Sequence, residues 1–293
     1  MQLIEKRKWF YVFSSILIVA GILSMFIQGF NWGIDFTGGS LLRYKMDTSI
    51  SADQVRNTVN DLNIAKEVTV QKSGSEFYIR SNELDQKQTS QMTAGLKEKF
   101  NSVTLESAES VGATIGSELA RNALIAISIA LVLMLIYITF RFEWTFGLAA
   151  ILALFHDVLI VVGLFSIFQW EINSAFIAAI LTIIGYSIND TIVIYDRIRE
   201  NKGIMGDKVS TEVLVDTSIT QSMSRSINTS LAVFVSITIV YIFAQIYNIE
   251  TIKDFALPMM FGTVSGCYST ICIAGPLWTM WKNHEAKARL KKA

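Results

Sequence analysis

Long apolar stretches, separated by shorter polar ones, make up most of this chain. Six stretches reach the roughly 20 residues that a helix needs to cross the hydrocarbon core of a bilayer. They lie at residues 9–28, 122–140, 144–168, 172–195, 227–246 and 255–281. Only residues 29–121 and, to a lesser extent, 196–226 form long polar connections. The pattern predicts a polytopic α-helical membrane protein with six transmembrane helices and one large loop domain.

The loop domain at residues 29–121 changes between strand-like and helix-like periods. Strand-like runs lie at residues 39–46, 67–71, 76–81 and 102–109, and helix-like runs at residues 51–62 and 84–100. Ser51 and Gln54 have the spacing of a capping box, and residues 72–75 contain the glycine of a hairpin turn. The order β-α-β-β-α-β predicts an α+β ferredoxin-like domain. Because that fold hosts many roles, it names no function.

Basic residues in and beside the short loops fall on one predicted side of the membrane. That side receives Lys6, Arg7, Lys8, Arg141, Arg197, Arg199, Lys202, Lys208, Arg225, Lys282, Lys287, Arg289, Lys291 and Lys292. Only Lys253 falls in a short loop on the other side. Since Lys and Arg accumulate on the cytoplasmic side, we expect both termini there. The first apolar run is too long for a signal peptide, so we expect it to be an anchor.

This topology divides the chain into four parts. Residues 1–28 form the cytoplasmic N-terminus and the first transmembrane helix, and residues 29–121 form the extracytoplasmic ferredoxin-like domain. Residues 122–281 contain transmembrane helices two to six, and residues 282–293 form a basic cytoplasmic tail.

The composition narrows the function classes. Hydrophobic residues make up 52% of the chain and charged residues 17%, against about 25% charged residues in a soluble domain. The formal net charge is zero, which argues against a nucleic acid as partner. Cys267 and Cys272 point to different faces of one helix, so neither a disulfide nor a metal pair is expected. The loop domain has no histidine and no nucleophile motif, so we expect neither an enzyme nor a cofactor.

Asp190 is the single charged residue within the stretch at 172–195. The nearest other charges, Glu171 and Asp196, lie just outside its two ends. A carboxylate at that depth costs at least a few kcal/mol and usually has a function. Its neighbours Ser187, Asn189 and Thr191 are small or hydrogen-bonding residues. This composition predicts a polar niche that faces other helices rather than lipid.

A second polar surface begins at the start of the fifth predicted span. One helical face, with the spacing i, i+3, i+4, i+7 and i+11, carries Arg225, Asn228, Thr229, Ala232 and Ser236. Asp190 lies about 9 Å along its helix from Asp196, at a depth that the Arg225 side chain can reach. The pair is predicted to be a proton relay, in which the acid loads and releases a proton as the arginine approaches and withdraws. A static ion pair is the alternative.

His156 and Asp157 are adjacent in the third predicted span. Adjacent residues are about 100° apart around a helix, so the two do not easily face one ligand. Two interpretations stay open, a proton relay and a structural set of hydrogen bonds to neighbouring helices. Together with Ser187, Asn189, Thr191, Asn228 and Thr229, they form a candidate secondary polar network.

Two further patterns in the membrane have simpler explanations. The spacing Gly262-x-x-x-Gly266 predicts close helix packing, and Gly275-Pro276 predicts a kink in the same helix. The dipeptide Tyr195-Asp196 occurs in intramembrane aspartyl proteases, but no GxGD motif accompanies it here. An exposed helix end at Asp196 explains it better.

Three motifs resemble the SecD/SecF family, and in particular its SecF branch. They are the segment Gly33-Ile34-Asp35-Phe36-Thr37-Gly38-Gly39, residues 185–201 (GYSINDTIVIYDRIREN) and residues 225–230 (RSINTS). The resemblance covers essentially the whole chain. It implies a membrane subunit of the accessory complex of the bacterial preprotein translocase, and half of a transporter of the resistance–nodulation–division superfamily.

The resemblance also implies partners, a location and residue roles. The partners are a homologous six-span SecD-like subunit, a SecYEG-type translocon, the translocating polypeptide and the lipid of the bacterial cytoplasmic membrane. By motif, Asp190 is the proton-carrying acid and Arg225 its basic partner. Two alternatives stay open: a non-conducting scaffold subunit of the same complex, and half of a related exporter of small hydrophobic molecules.

Overall fold

The computed structural model describes residues 3–290, without the side chains of residues 207 and 286–290. Residues 291–293 of the predicted basic tail therefore lie outside the described residues. The chain divides into two compact units, one of them Trp32–Leu124 and the other formed by the residues before and after it. The boundary at Leu124 falls inside a long helix, three residues beyond the predicted end of the loop domain.

The elements follow one another along the chain in this order. They are α1 (Arg7–Ile27), β1 (Asn31–Trp32), α2 (Ile34–Thr37), β2 (Gly39–Lys45), α3 (Ala52–Asp61), β3 (Thr69–Ser73), β4 (Glu76–Ser81), α4 (Gln86–Lys99), β5 (Thr104–Val111), α5 (Ala113–Arg141), α6 (Trp144–Phe168), β6 (Glu171–Ile172), α7 (Ser174–Met205), a 3₁₀ turn (Gly206–Lys208), α8 (Thr211–Ile246), α9 (Glu250–Ser269), a π-helical segment (Thr270–Ala274) and α10 (Gly275–Leu290).

Six helical spans in the described part of the chain are long and apolar enough to cross a membrane. They are α1, α5, α6, α7, α8 and the continuous run through α9 and α10, so the predicted number is confirmed. The helices differ in how much of their most apolar stretch is buried by the rest of the described chain. In α5 the buried share is only 6%, whereas in α6 and α7 it is 50% each. The helices α6, α7 and α9 therefore form the interior of this unit.

Most of the polar connection at residues 196–226 is helical. Exposed ion pairs at the spacing i, i+3 continue α7 past its apolar part, from Asp196 to Arg199 at 3.2 Å and from Arg197 to Glu200 at 2.6 Å. The helix ends only at Gly206, whose φ is +56°. Asp196 is therefore not a helix end, as the sequence suggested, but lies inside α7.

The last span is interrupted rather than simply kinked. A π-helical segment at Thr270–Ala274 separates α9 from α10, which begins at Gly275. The interruption coincides with Pro276, which has no amide hydrogen to donate to the carbonyl group one turn before it. Pro258, which also lies inside this span in α9, does not end the helix.

The unit Trp32–Leu124 contains the predicted ferredoxin-like fold. Its four-stranded antiparallel sheet has the order β3-β4-β2-β5. Along the chain, α3 follows β2 and α4 follows β4. Ser51 and Gln54 form both hydrogen bonds of the capping box. Tyr44, Phe77 and Met92 are among the side chains that are fully buried in its own hydrophobic core, so the unit has what it needs to fold independently.

Gly39 in the first strand of this sheet adopts a conformation that other residues avoid. Its φ is +116°, and a Cβ atom added there would collide with the backbone carbonyl oxygen of Ser81. Gly74, in the hairpin turn, has a φ of +62° and open space around it. Gly39→Ala should therefore lower the free energy of unfolding by about 3 kcal/mol or more, and Gly74→Ala by about 1 kcal/mol.

Urea unfolding of the fragment 31–117, followed by circular dichroism, checks this difference. The unsubstituted fragment should unfold cooperatively. Equal destabilisation by the two substitutions would show that the close contact of Gly39 with Ser81 does not affect the free energy of unfolding.

Candidate functional site

Asp190 lies on α7 with only 7% of its surface exposed. One carboxylate oxygen, Oδ1, accepts a hydrogen bond of 2.7 Å from the Ser226 hydroxyl of α8. The other oxygen, Oδ2, is buried and has no hydrogen-bond partner among the described residues. A buried carboxylate with a single neutral donor is poorly compensated for the loss of water, so this group is suited to binding a proton.

The face of α8 that meets Asp190 is a row of serines. Ser218, Ser222, Ser226 and Ser230 are buried at intervals of four residues. Two of them also bond to α7, where Asn201 donates to Ser218 at 2.9 Å and the Tyr186 hydroxyl to Ser230 at 3.0 Å. Small hydroxyl-bearing residues at this spacing let two helices approach closely.

The polar face that the sequence pattern identified on α8 lies one residue away from this row of serines. Arg225, Asn228, Thr229, Ala232 and Ser236 are all exposed. Among the described residues, Arg225 makes no ion pair with Asp190. Ser226, the residue next to Arg225, is the one that touches the carboxylate.

Asp157 on α6 is the second buried acid, with no exposed surface at all. Three serine hydroxyls donate to its carboxylate at 2.7 Å each, from Ser187 on α7 and from Ser265 and Ser269 on α9. The Nδ1 atom of His156 lies 3.1 Å from the Asp157 Oδ1 atom. Asp157 therefore connects the three interior helices through hydrogen bonds.

His156 extends this network to the first helix. Its Nε2 atom is 3.0 Å from the Ser14 hydroxyl of α1, and Ser14 is 3.1 Å from the Tyr268 hydroxyl. His156 and Asp157 thus contact each other although they are adjacent in sequence, which the 100° separation had not suggested. The structure unites His156, Asp157 and Ser187, three members of the candidate secondary network.

The other members of that network are placed elsewhere. Thr191 is buried and its hydroxyl lies 3.0 Å from that of Thr270 in the π-helical segment. Asn189, Asn228 and Thr229 are exposed, and among the described residues no hydrogen bond connects them to Asp157. Within this chain they form a polar surface rather than part of the interior network.

The glycines of the last span pack as their spacing predicted. A Cβ atom at Gly262 would collide with the Ile183 side chain, and one at Gly266 would lie 3.2 Å from the Ser187 Cβ atom. These contacts hold α9 against the part of α7 that carries Ser187 and Asp190.

Four residues of these networks were not among the predicted site residues, namely Ser14, Ser226, Ser265 and Tyr268. A signal existed for some of them, since Ser222, Ser226 and Ser230 recur every four residues, as do Ser265 and Ser269. Such repeats mark a helix face that accepts a close neighbour. The described residues contain no group of three or more His, Cys, Asp or Glu residues that could hold a metal ion.

The remaining motif residues belong to the unit Trp32–Leu124. Gly33 precedes the short helix α2, which contains Asp35, Phe36 and Thr37. The Thr37 hydroxyl donates to the Gly33 carbonyl oxygen at 3.2 Å. Gly38 follows with a φ of +71°, and a Cβ atom there would lie 2.7 Å from the Ala113 Cα atom. The motif is a compact turn in which both final glycines are required sterically.

Comparison with known proteins identifies the family. The family described as "Protein export membrane protein SecD/SecF, C-terminal" matches residues 91–284, and the "SecD/SecF GG Motif" matches residues 23–50. The chain belongs to the SecD/SecF family. The resemblance seen in the sequence motifs is thereby confirmed.

Relatives of this SecD/SecF chain are of two lengths. It is 38% identical to protein translocase subunit SecF of Sebaldella termitidis, over 94% of this chain and 90% of the relative. It is 37% identical to protein translocase subunit SecDF of Bacillus subtilis, over 97% of this chain but only 38% of the relative.

Solved structures of SecDF share the fold. The crystal structure of SecDF, a translocon-associated membrane protein from Thermus thermophilus, matches with a TM-score of 0.88 at 34% identity, over 97% of this chain and 39% of that protein. A structure of SecDF in a super-membrane-facing form matches with a TM-score of 0.73 at 32% identity, over all of this chain and 40% of that protein. The predicted fold class, six transmembrane helices with one ferredoxin-like domain, is confirmed.

Proposed function

We propose that this chain is a subunit of a proton-gradient-driven complex that assists protein export, with Asp190 as its proton carrier. Family membership supports the role in protein export. The observation that carries the rest is the Asp190 carboxylate, which has one oxygen bonded to Ser226 and one buried oxygen without a partner among the described residues.

The carrier role follows from the electrostatics of burial. A carboxylate that is removed from water needs an opposite charge or several donors, and Ser226 supplies one neutral donor. Protonation removes the cost, and the approach of a cation restores the charged form. Arg225 is exposed next to Ser226, so its side chain is free to approach and withdraw. Each charge that crosses 100 mV supplies about 2.3 kcal/mol.

The exposed helix faces of the membrane unit support the proposal of a homologous partner subunit with a similar set of helices. The polar face of α8 from Arg225 to Ser236 and nearly all of α5 are uncovered within this chain. The SecDF relatives are more than twice as long as this chain. A homologous SecD-like half would cover these faces and enclose the proton pathway. The Thermus protein is named as translocon-associated, so we propose a SecYEG-type translocon and its translocating polypeptide as further partners.

Translocation in reconstituted vesicles tests the function. Vesicles with the translocon, with or without the complex of this chain and its SecD-like partner, receive an imposed proton gradient. Stimulation of export by the complex should need the gradient and should disappear when a protonophore is added. A scaffold would stimulate export equally with and without the gradient.

The charged end of the helix bundle supports the predicted orientation, with both termini in the cytoplasm. Arg141 and Arg199 pair with Asp196, and Lys202 and Lys282 pair with Glu143, so basic residues of α5, α7 and α10 gather at one end. Partial burial works to raise the pKa of Glu143, but the hydrogen bonds and charges of Lys282 and Lys202 outweigh it and lower that pKa. The Glu143 carboxylate therefore stays ionised and balances part of the positive charge.

Cysteine labelling checks this orientation. Ser73→Cys and Lys208→Cys are introduced singly into full-length protein that lacks Cys267 and Cys272. Both sites are exposed. An impermeant maleimide added to intact cells should label position 73 and should label position 208 only after permeabilisation. Labelling of both positions from outside would contradict the topology.

A further inference from the structure

The directions of the hydrogen bonds around His156 follow from counting hydrogens. The Tyr268 hydroxyl donates its one hydrogen to the Phe10 carbonyl oxygen at 2.9 Å. Its contact of 3.1 Å with Ser14 must then use the hydrogen of Ser14. Since the Ser14 hydroxyl has no second hydrogen, His156 must donate to it from Nε2, over a distance of 3.0 Å. The imidazole therefore carries a hydrogen on Nε2.

The second ring nitrogen of His156 faces the Asp157 carboxylate. Its Nδ1 atom lies 3.1 Å from Asp157 Oδ1. If both atoms lacked a proton, two lone pairs would face each other in a buried site. A single proton between them makes either an imidazolium with a carboxylate or an imidazole with a carboxylic acid. In both forms the pair is electrically neutral as a whole, which fits its burial.

The same pair is connected to the turn of α7 that carries Asp190. Ser187, which donates to Asp157 at 2.7 Å, is one helical turn before Asp190. Within that turn, Asp190 contacts Ser226 of α8 and Thr191 contacts Thr270 of the π-helical segment. Three residues of one turn are thus fixed to three different elements, and Ser187 provides the connection to α6.

We infer that His156 and Asp157 share one proton in the hydrogen bond between Nδ1 and Oδ1, and that this pair positions Asp190 through Ser187. Asp157 and His156 are positioning residues in this scheme, because neither touches the Asp190 carboxylate. The second half of the inference rests on the proposed role of Asp190 as proton carrier. The first half concerns only the protonation of the pair.

Nitrogen NMR of the histidine ring tests the shared proton. The chain contains two histidines, His156 and His284, so His284→Gln leaves one ring to observe. Full-length protein with ¹⁵N-labelled histidine in lipid bilayers should show a proton on Nε2 and a second, hydrogen-bonded proton at Nδ1. Asp157→Leu, which removes the acceptor, should eliminate the second signal. A neutral ring whose Nδ1 has neither a proton nor a hydrogen bond would overturn the inference.

Two matched serine variants test the positioning. Ser187→Ala and Ser265→Ala each remove one hydrogen bond of 2.7 Å to Asp157, but only Ser187 lies on α7. The measurement is the pH of half-maximal gradient-dependent proton flux in vesicles with equal amounts of complex. We expect a shift of about one pH unit for Ser187→Ala, because the hydrogen bond that fixes the turn of α7 carrying Asp190 is lost. For Ser265→Ala we expect a clearly smaller shift.

The other groups near Asp190 are the same in both variants. They are Ser226 and Arg225 of α8, Tyr186 of α7 and Cys267 of α9. Tyr268 of α9, whose ring centroid is 5.8 Å from that of His156, is likewise unchanged. Equal shifts for the two serine variants would show that the network has only a general structural role and would overturn the positioning. A failure of the carrier proposal would be recognised by a different result, namely wild-type proton flux in a variant in which Asp190 itself is replaced.

Discussion

Asp190→Asn is expected to abolish gradient-dependent proton flux and the stimulation of export, while the complex still assembles. Asparagine keeps the volume of the side chain, and its carbonyl oxygen can still accept from Ser226, but it cannot take up and release a proton. The measurement compares vesicles that contain equal amounts of assembled wild-type and variant complex. The remaining flux should be that of vesicles without the complex.

Asp196→Asn provides the matched control for this substitution. It is the same chemical change on the same helix, six residues further on. The Asp196 side chain is 41% exposed and pairs with Arg141 and Arg199 on the surface. Exposed ion pairs contribute about 0–1 kcal/mol, so flux and assembly should stay close to wild type.

Two other outcomes for Asp190→Asn have distinct meanings. Unchanged gradient-dependent activity would reject the carrier role and leave a non-conducting scaffold. Loss of assembly, at a cost of about 3–5 kcal/mol for one member of a buried pair, would instead indicate that Asp190 is a structural partner in the complex. Quantifying assembled complex before the flux measurement distinguishes the two.

Gly163→Leu should have the second largest effect, by forcing α1 away from α6. A Cβ atom at Gly163 would lie 3.0 Å from the Gly21 Cα atom, and one at Gly21 would lie 2.9 Å from the Gly163 Cα atom. Backbone atoms cannot rotate away as a side chain can, so the two helices must separate. Overpacking of this kind costs about 1–3 kcal/mol or more.

The separation should also break hydrogen bonds between the two helices. Ser24 of α1 and Ser166 of α6 lie 2.9 Å apart through their hydroxyl oxygens, and His156 reaches Ser14 across the same contact. Thermal unfolding of the purified full-length chain in detergent measures the loss. Gly185→Leu on α7 is the control, because an added Cβ atom there meets nothing within 4 Å. Equal loss of stability in both variants would contradict the close contact of α1 and α6.

Local sequence signals predicted much of the fold. The six spans follow from apolar length, and the order of strands and helices in the loop domain follows from periodicity, with the capping box at Ser51 and Gln54 correctly located. The extension of α7 and α8 through residues 196–226 was not predicted, because that polar stretch was assigned to a connection between two spans. Ion pairs such as that between Arg197 and Glu200 sustain an exposed polar helix.

The candidate site was predicted less completely than the fold. Asp190 stands out as a lone charge in an apolar stretch, and its contact on α8 lies one residue from the predicted partner Arg225. Its contact is Ser226 rather than Arg225, because both neighbouring faces of α8 carry small or polar residues at helical spacing. The choice between two such faces depends on which helix packs there, and the sequence of a single helix does not contain that information. The same reason explains why the three serine partners of Asp157 were missed.

The π-helical segment at Thr270–Ala274 fixes the angular relation between the two ends of the last span. A π turn holds one more residue than an α turn, and one residue corresponds to a rotation of about 100° around the axis. Deleting one residue from the segment would remove the extra residue of the π turn and rotate α10 relative to α9. Trp278, which now stacks on Phe146 with ring centroids 4.4 Å apart and donates to Thr145, would then point away from α6. The widened turn is what allows Ser265 and Ser269 at one end and Trp278 at the other to face the same neighbour.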